Sequence, residues 1–151
     1  MIIRPADPDD AAALVALLRA CALGANDEDP ADLTPYRAAL LEIDETPGTE
    51  LLVAEQGGHI VGTCPLITFR HLQQCGGRCA EIESMHVALE PRGTGIGGLL
   101  LEAAVDAARA AGCYRVQLTS NAARSDAHRF YEHHGFNGSH VGFKRLLEPP
   151  G

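Results

Sequence analysis

The sequence contains no apolar run approaching the roughly 20 residues that cross a bilayer, and its N-terminus has no basic segment leading into an apolar one. Neither a membrane nor an export route is expected, and a cytoplasmic setting is. Basic residues are scarce: Lys and Arg number 12 against 20 Asp and Glu, giving a formal net charge of -8 and a pI near 5.2. No basic stripe can neutralise phosphates, which excludes nucleic acid as an expected partner and favours a cationic or amine-bearing substrate. A disulfide framework is also missing, because the five cysteines, Cys21, Cys64, Cys75, Cys79 and Cys113, are odd in number and scattered. His71 with Cys75 and Cys79 has neither a zinc spacing nor a fourth ligand, so no metal is expected. Without internal repeats, low-complexity segments or linkers, the 151 residues read as one domain, residues 1–147, with a frayed end at 148–151.

What the sequence does have is glycine in one place. Arg92-Gly93-Thr94-Gly95-Ile96-Gly97-Gly98 runs into Leu99-Leu100-Leu101, and neither glycine nor proline recurs until Gly112. That pattern predicts a loop emptying into a helix. Glycine permits a tight turn and leaves no Cβ in a ligand's way, and the first helical turn offers unpaired amides at the positive end of the peptide dipoles. With Arg92 at the lip this suits a pyrophosphate, although a plain turn before a helix has the same composition. No Gly-Lys-Ser/Thr closes the loop, which excludes a Walker A motif. Gly93, Gly95 and Gly98 match a dinucleotide spacing, but too little chain follows for a second βαβ half.

Around this loop the pattern predicts an α/β protein. A strand at Met1–Arg4 is followed by a helix capped at Asp7-Pro8 and running to Gly24, with Leu14, Leu17, Leu18 and Cys21 on one face. An irregular acidic segment, 25–34, leads to a second helix carrying Tyr36, Leu40 and Ile43. Strands at 50–55 and 60–69 form a hairpin about Gln56-Gly57-Gly58-His59, and Pro65 implies an edge position or a bulge. In the next strand, 79–87, Ile82 and Val87 are five apart, so a bulge near Ser84 to His86 is needed to keep them on one face and leaves amides unpaired. The long helix to Ala111, a strand at 114–119 and a helix from Ser125 to Gly135 follow, and weak alternation predicts a last strand over Gly138–Leu147.

Three motifs, in order between Glu81 and Phe136, then resemble the GCN5-related N-acetyltransferase superfamily. They are Ile82-Glu83-Ser84-Met85-His86-Val87, the Arg/Gln-x-x-Gly-x-Gly/Ala pattern at Arg92 to Gly97, and Ala127-His128-Arg129-Phe130-Tyr131-Glu132-His133-His134-Gly135-Phe136. The resemblance implies a single-domain acyl-CoA N-acyltransferase fold, a mixed six- or seven-stranded sheet flanked by about four helices. It also implies acetyl-CoA as co-substrate, with its pyrophosphate on Arg92, Gly93, Thr94, Gly95, Ile96, Gly97 and Gly98. The C-terminal half, with Asn121, Arg124, Ser139-His140 and Gly142-Phe143-Lys144, is similar to the aminoalkylphosphonate N-acetyltransferase branch.

Acyl transfer to an amine needs a base, an oxyanion site and an acid for the departing thiolate. Glu83 is the first candidate for base and Glu81 the second; the bulge amides of Met85 and Val87 suit the oxyanion and the pantetheine arm. Tyr131 matches the family's tyrosine and Asn121 the position that often holds the cofactor arm. Tyr36, Arg70, His71, Glu81 and His140 are candidates for substrate contact. The expected reaction moves an acetyl group to a primary amine of a small molecule by direct attack. A protein lysine or N-terminal acetyltransferase, a non-catalytic acyl-CoA-binding module and, more remotely, a dehydrogenase are the alternatives; a homodimer is compatible with any of them.

Overall fold

The computed structural model describes residues 1–89 and 94–148 and divides into two compact units, Met1–Gln117 and Leu118–Gly151. In the first, β1 (Ile2–Pro5) is followed by a 3-10 turn at Pro8–Asp10 and α1 (Ala11–Cys21). Asp7 starts this turn as its cap: its carboxylate accepts the Asp9 amide at 2.8 Å, while Asp10 reaches back to the Asp7 amide at 2.9 Å. Arg4 on β1 fastens the arrangement, donating to both carboxylate oxygens of Asp10 at 2.8 and 2.9 Å and to Glu55 at 3.0 Å. Next come α2 (Thr34–Glu45), β2 (Thr49–Gln56), β3 (His59–Arg70), a four-residue turn α3 (Gln73–Gly76), β4 (Arg78–Ile82), β5 (His86–Val87), α4 (Ile96–Ala110) and β6 (Cys113–Leu118); α5 (Ser125–His133) belongs to the second unit.

The mixed sheet runs in the order β1-β2-β3-β4-β6, with β5 paired to β3 beyond the end of β4. Alternation along β2 divides the core. Val53 packs with Ala11, Leu14 and Leu40 of α1 and α2, whereas Ala54 faces the side on which Leu100 of α4 lies. Leu100, Leu101, Ala104 and Ala108 are completely buried, as the helix periodicity of 99–108 requires. Gly62 of β3 makes that contact close: a Cβ there would stand 3.1 Å from Leu100 Cδ2 and 3.4 Å from the His86 carbonyl oxygen.

Two expectations need correction. Residues 138–147 form no strand; the six-strand count is reached because the predicted strand 79–87 is broken into β4 and β5. Alternation of apolar residues makes a strand only where a neighbour supplies the ladder, and within the described residues none does. The stretch 71–78, polar and with Gly76-Gly77 in it, reads from the sequence as plain loop but contains the short turn α3, with Gln74 and Cys75 at left-handed φ of 53° and 55°. Pro65 is neither of the two things expected: β3 lies between β2 and β4, so it is no edge, its pairing with Leu51 is regular, and its missing N–H falls on the β4 side, opposite a bulge in the neighbouring strand.

Candidate functional site

The break between β4 and β5 is a one-residue bulge. Leu66 pairs with Ile82 and Thr63 with His86, so three steps along β3 face four along the opposing strand, and the extra residue is Ser84 at φ 53°. A serine held in the left-handed region is strained, a condition that clusters at working sites. Glu83 precedes it: its amide bonds Pro65 O at 3.2 Å, its side chain is exposed, and its Oε1 accepts the Ser84 hydroxyl at 3.0 Å. Glu81 lies on the same face two residues earlier, half-buried, and accepts Gln117 Nε2 of β6 at 2.8 Å.

The bulge leaves peptide groups pointing away from β3. Met85 has no hydrogen-bond partner among the described residues. The Ala88 amide bonds Val61 O at 2.8 Å, so the neighbouring pair, Gly62 and Val87, is of the non-bonded kind and the Val87 peptide groups face outward. The Val87 carbonyl accordingly accepts the Cys21 thiol of α1 at 3.4 Å, and its amide is directed to the same side.

Beside this strand α4 begins. Gly95 is its N-cap, at φ 74° in the left-handed region, with open space where a Cβ would be. Its glycine is thus required by conformation and not by crowding. Leu99 is the residue that bonds back to Gly95 O, at 3.0 Å; the amides of Ile96, Gly97 and Gly98 precede it and have no acceptor within the helix. Thr94 is exposed, and Arg92 and Gly93 lie outside the described residues. Leu100, in the second turn of α4, adjoins Gly62 and so brings the helix start beside the bulge. A carboxylate, outward strand amides and a dipole-positive helix end therefore share one edge of the first unit.

Other candidates are placed elsewhere. Arg70 and His71 lie by the start of β4, about 16 Å of strand from Glu83 at roughly 3.3 Å per residue. Arg70 Nη1 donates to Gly76 O at 2.7 Å and His71 Nε2 meets the Tyr114 hydroxyl at 2.9 Å, so both secure the β3–β4 turn. Tyr36 anchors the acidic segment, accepting the Asp29 amide and donating to Glu28 Oε2, each at 2.8 Å. In the second unit Asn121 builds a turn: its Oδ1 accepts the Ala123 amide at 2.9 Å and its carbonyl accepts His128 Nε2 at 2.9 Å. Tyr131 on α5 is half-buried, edge-on to Phe130 and Phe136 at 5.2 and 5.9 Å between centroids. His140 is exposed and its Nδ1 lies in hydrogen-bond contact with the Ser139 hydroxyl at 2.7 Å.

Sequence reasoning missed Gln117 and His128. Gln117 fixes Glu81 across 36 positions of chain, a pairing visible only once β6 is known to lie beside β4; His128 reads from spacing as one more helix-face residue, and its bond to the Asn121 carbonyl shows only in the structure. Cys64 is buried, which pushes its thiol up to about 12 and keeps it un-ionised at neutral pH. Among the described residues no group of three His, Cys, Asp or Glu side chains could hold a metal ion, and no helix is long and apolar enough to cross a membrane. A cleft of about 410 Å³ between α2, the sheet and the end of α4 is lined by none of the bulge or glycine-loop residues.

Comparison with known proteins gives a consistent picture. The pattern described as the acetyltransferase (GNAT) family matches residues 12–136. An aminoalkylphosphonate N-acetyltransferase from Salmonella typhimurium is 34% identical over 146 residues, covering 96% of this chain and 90% of that protein. Among solved structures, one described as a transcriptional regulator from Bacillus halodurans C-125 is 34% identical with a TM-score of 0.90, covering 97% of this chain and 99% of that one. Glucosamine-6-phosphate N-acetyltransferase from Arabidopsis thaliana, 20% identical with a TM-score of 0.83 over 97% and 98% of the two chains, shares the fold.

Proposed function

The chain belongs to the GNAT family of acetyltransferases, and on that footing we propose that it moves an acetyl group from acetyl-CoA to the primary amine of a small molecule. The observation that carries this reading is the Ser84 bulge, which sets Glu83 and the outward amides of Met85 and Val87 beside the unpaired first turn of α4. Those first-turn amides fit a pyrophosphate, because unpaired N–H groups at a helix start favour an anion. The relative's activity on an aminoalkylphosphonate supports a small acceptor over a protein one. The family pattern spans both compact units, which supports treating 1–147 as one acetyltransferase domain, and five free cysteines with no disulfide suit a reducing cytoplasm.

In this reading Glu83 accepts a proton from the ammonium or from the attacking nitrogen, directly or through water. The nitrogen lone pair forms a bond to the thioester carbon, and the Met85 and Val87 amides hold the oxygen that becomes negative. The carbon–sulfur bond then breaks and Tyr131, assigned from its place in the Ala127–Phe136 motif, gives its proton to the departing thiolate. Gln117 holds Glu81, a second carboxylate on the same strand face, for the incoming cation. No cysteine takes the acetyl group. Asn121 keeps its side-chain N–H₂ available for the pantetheine arm, since its Oδ1 is used within the turn.

The test is a thermal-shift series followed by a turnover screen. Coenzyme A and acetyl-CoA should raise the melting temperature and a nicotinamide dinucleotide should not. Free thiol should be released from acetyl-CoA with at least one small primary amine, and Glu83→Gln should suppress it. Stabilisation by the dinucleotide alone, or turnover only with peptide amines, would overturn the assignment.

A further inference from the structure

β1 stops short of its neighbour, and the shortfall opens a notch at that end of the sheet. Pro5 pairs with Leu52 and the Ala6 amide bonds Leu51 O at 2.7 Å, while β2 begins at Thr49, so Thr49 and Glu50 have no strand on their β1 side. The cleft of about 410 Å³ lies here, wholly within the first unit, and its size is that of a small-molecule pocket, roughly 300–1,000 Å³. Leu40, Leu51, Leu66 and Ala107 give it apolar walls.

The polar groups of the cleft are of one kind. The Thr49 hydroxyl is directed to the Ile43 and Thr46 carbonyls, 2.8 Å from each, and the Thr68 hydroxyl to Gly48 O at 3.4 Å, so neither has a proton to offer. The Thr68 amide also bonds Gly48 O, at 2.6 Å, which turns that carbonyl toward β3; alternation along the strand then turns the Thr49 carbonyl the other way, toward the notch. The carboxylates of Asp44 and Glu50 line the same cleft, and neither has a hydrogen bond or an ion pair among the described residues. Asp44 stands in the last turn of α2 and Ala107 in the last turn of α4, so two helices bring their negative ends here. The last turn of α2 has no basic residue, and no Lys or Arg lines the cleft. Acceptors without donors call for a ligand that brings both protons and positive charge.

We propose that this cleft binds an aliphatic primary amine in its ammonium form, at a site apart from the one assigned to acetyl transfer. Asp44, Glu50 and the Thr49 carbonyl supply the acceptors an ammonium needs, and the alkyl chain lies along Leu40, Leu51 and Leu66. An inorganic cation suits it poorly. Only two carboxylates are present, no group of three His, Cys, Asp or Glu among the described residues could hold a metal ion, and apolar walls offer nothing to a hydration shell. The inference stands independently of the catalytic reading, because none of the bulge or glycine-loop residues lines the cleft.

The experiment is an amide NMR titration of the full chain with n-hexylamine at neutral pH, where the amine is protonated, with 1-hexanol and hexanoate as probes of the same chain without the positive charge. Hexylamine should shift the signals of 40–51, 66–68 and 107–111 saturably, and the other two should bind at least about tenfold more weakly. Asp44→Asn combined with Glu50→Gln should cut hexylamine affinity roughly tenfold or more, whereas Glu83→Gln should leave these shifts as they are. Ala107→Leu fills the cleft without altering its charge and should abolish them, which keeps the test open if the double variant is not obtained folded. Hexanol matching hexylamine would overturn the proposal, as would shifts that survive either of these cleft variants. Shifts confined to 83–87 and 95–98 would do the same, since they report amine at the catalytic site alone.

Discussion

Residues 11–108 contain every buried side chain among the described residues; residues 118–148 contain none. The proposed base, oxyanion amides and phosphate-binding turn belong to the first region, where α4 is locked on the sheet by Leu100 and Leu101 and β5 is tied to α1 by the Cys21 thiol on the Val87 carbonyl. The proposed acid, Tyr131, belongs to the second, where α5 is kept by local contacts: Phe130, Tyr131, Phe136 and His134 pack on one another, and His128 ties the helix to the Asn121 turn. Segments with few buried contacts open at the least free energy. The proposed base and amides thus belong to the region richest in buried contacts, and the proposed acid to the region poorest in them.

The largest effect that sharpens this contrast is expected at Leu100. Leu100→Ala empties a fully buried site beside the bulge and should cost about 2–5 kcal/mol in urea unfolding. Phe130→Ala, on the half-buried α5, should cost clearly less; equal losses would erase the distinction between the regions. Next, Tyr131→Phe should lower turnover roughly ten- to a thousandfold while leaving coenzyme A affinity and the melting temperature unchanged, and an unaltered rate would remove Tyr131 from the mechanism.

A smaller effect concerns the anchor of the rigid part. The bond from Arg4 holds the Asp10 carboxyl below the ordinary carboxylate range, against the opposing effect of burial. Because the folded value is depressed, this stabilisation is complete above the unfolded value, near 4, and is lost as pH falls through the folded one. Asp10→Asn should therefore be about 1.5–3 kcal/mol less stable at neutral pH, with the difference shrinking in acid denaturation curves below about pH 4. The smallest stability change, about 1–2 kcal/mol, is expected for Gly95→Val, which forces a side chain into the left-handed region. Its coenzyme A affinity, measured by calorimetry, should nonetheless fall steeply, because the turn presenting the first amides of α4 is displaced.

How much of this was legible beforehand follows the same division. The bulge could be read from two residues, since Ile82 and Val87 can share a face only if the strand carries an extra position, and the structure puts it at Ser84. The α4 face was legible from the spacing of Leu100, Leu101, Ala104, Val105 and Ala108, of which all but the half-buried Val105 are fully buried. What was not legible depends on distant chain. Arg70 and His71 looked adjacent to the reactive strand, yet a sequence does not say that they meet its first residue whereas Glu83 follows its last. The Gln117–Glu81 bond needed the order β4-β6. The strand expected at 138–147 had its alternation but no partner, and alternation states only which side chains want cover.

Pro65 has a consequence for how this family member can vary. A regular ladder would ordinarily reclaim an extra residue by sliding it out, gaining a hydrogen bond for each peptide brought back into line. Opposite Glu83 that reward is withheld, because the imide nitrogen of Pro65 has nothing to donate. The bend is thereby specified from the neighbouring strand, so its place opposite Pro65 does not rest on the side chains of 83–85 alone.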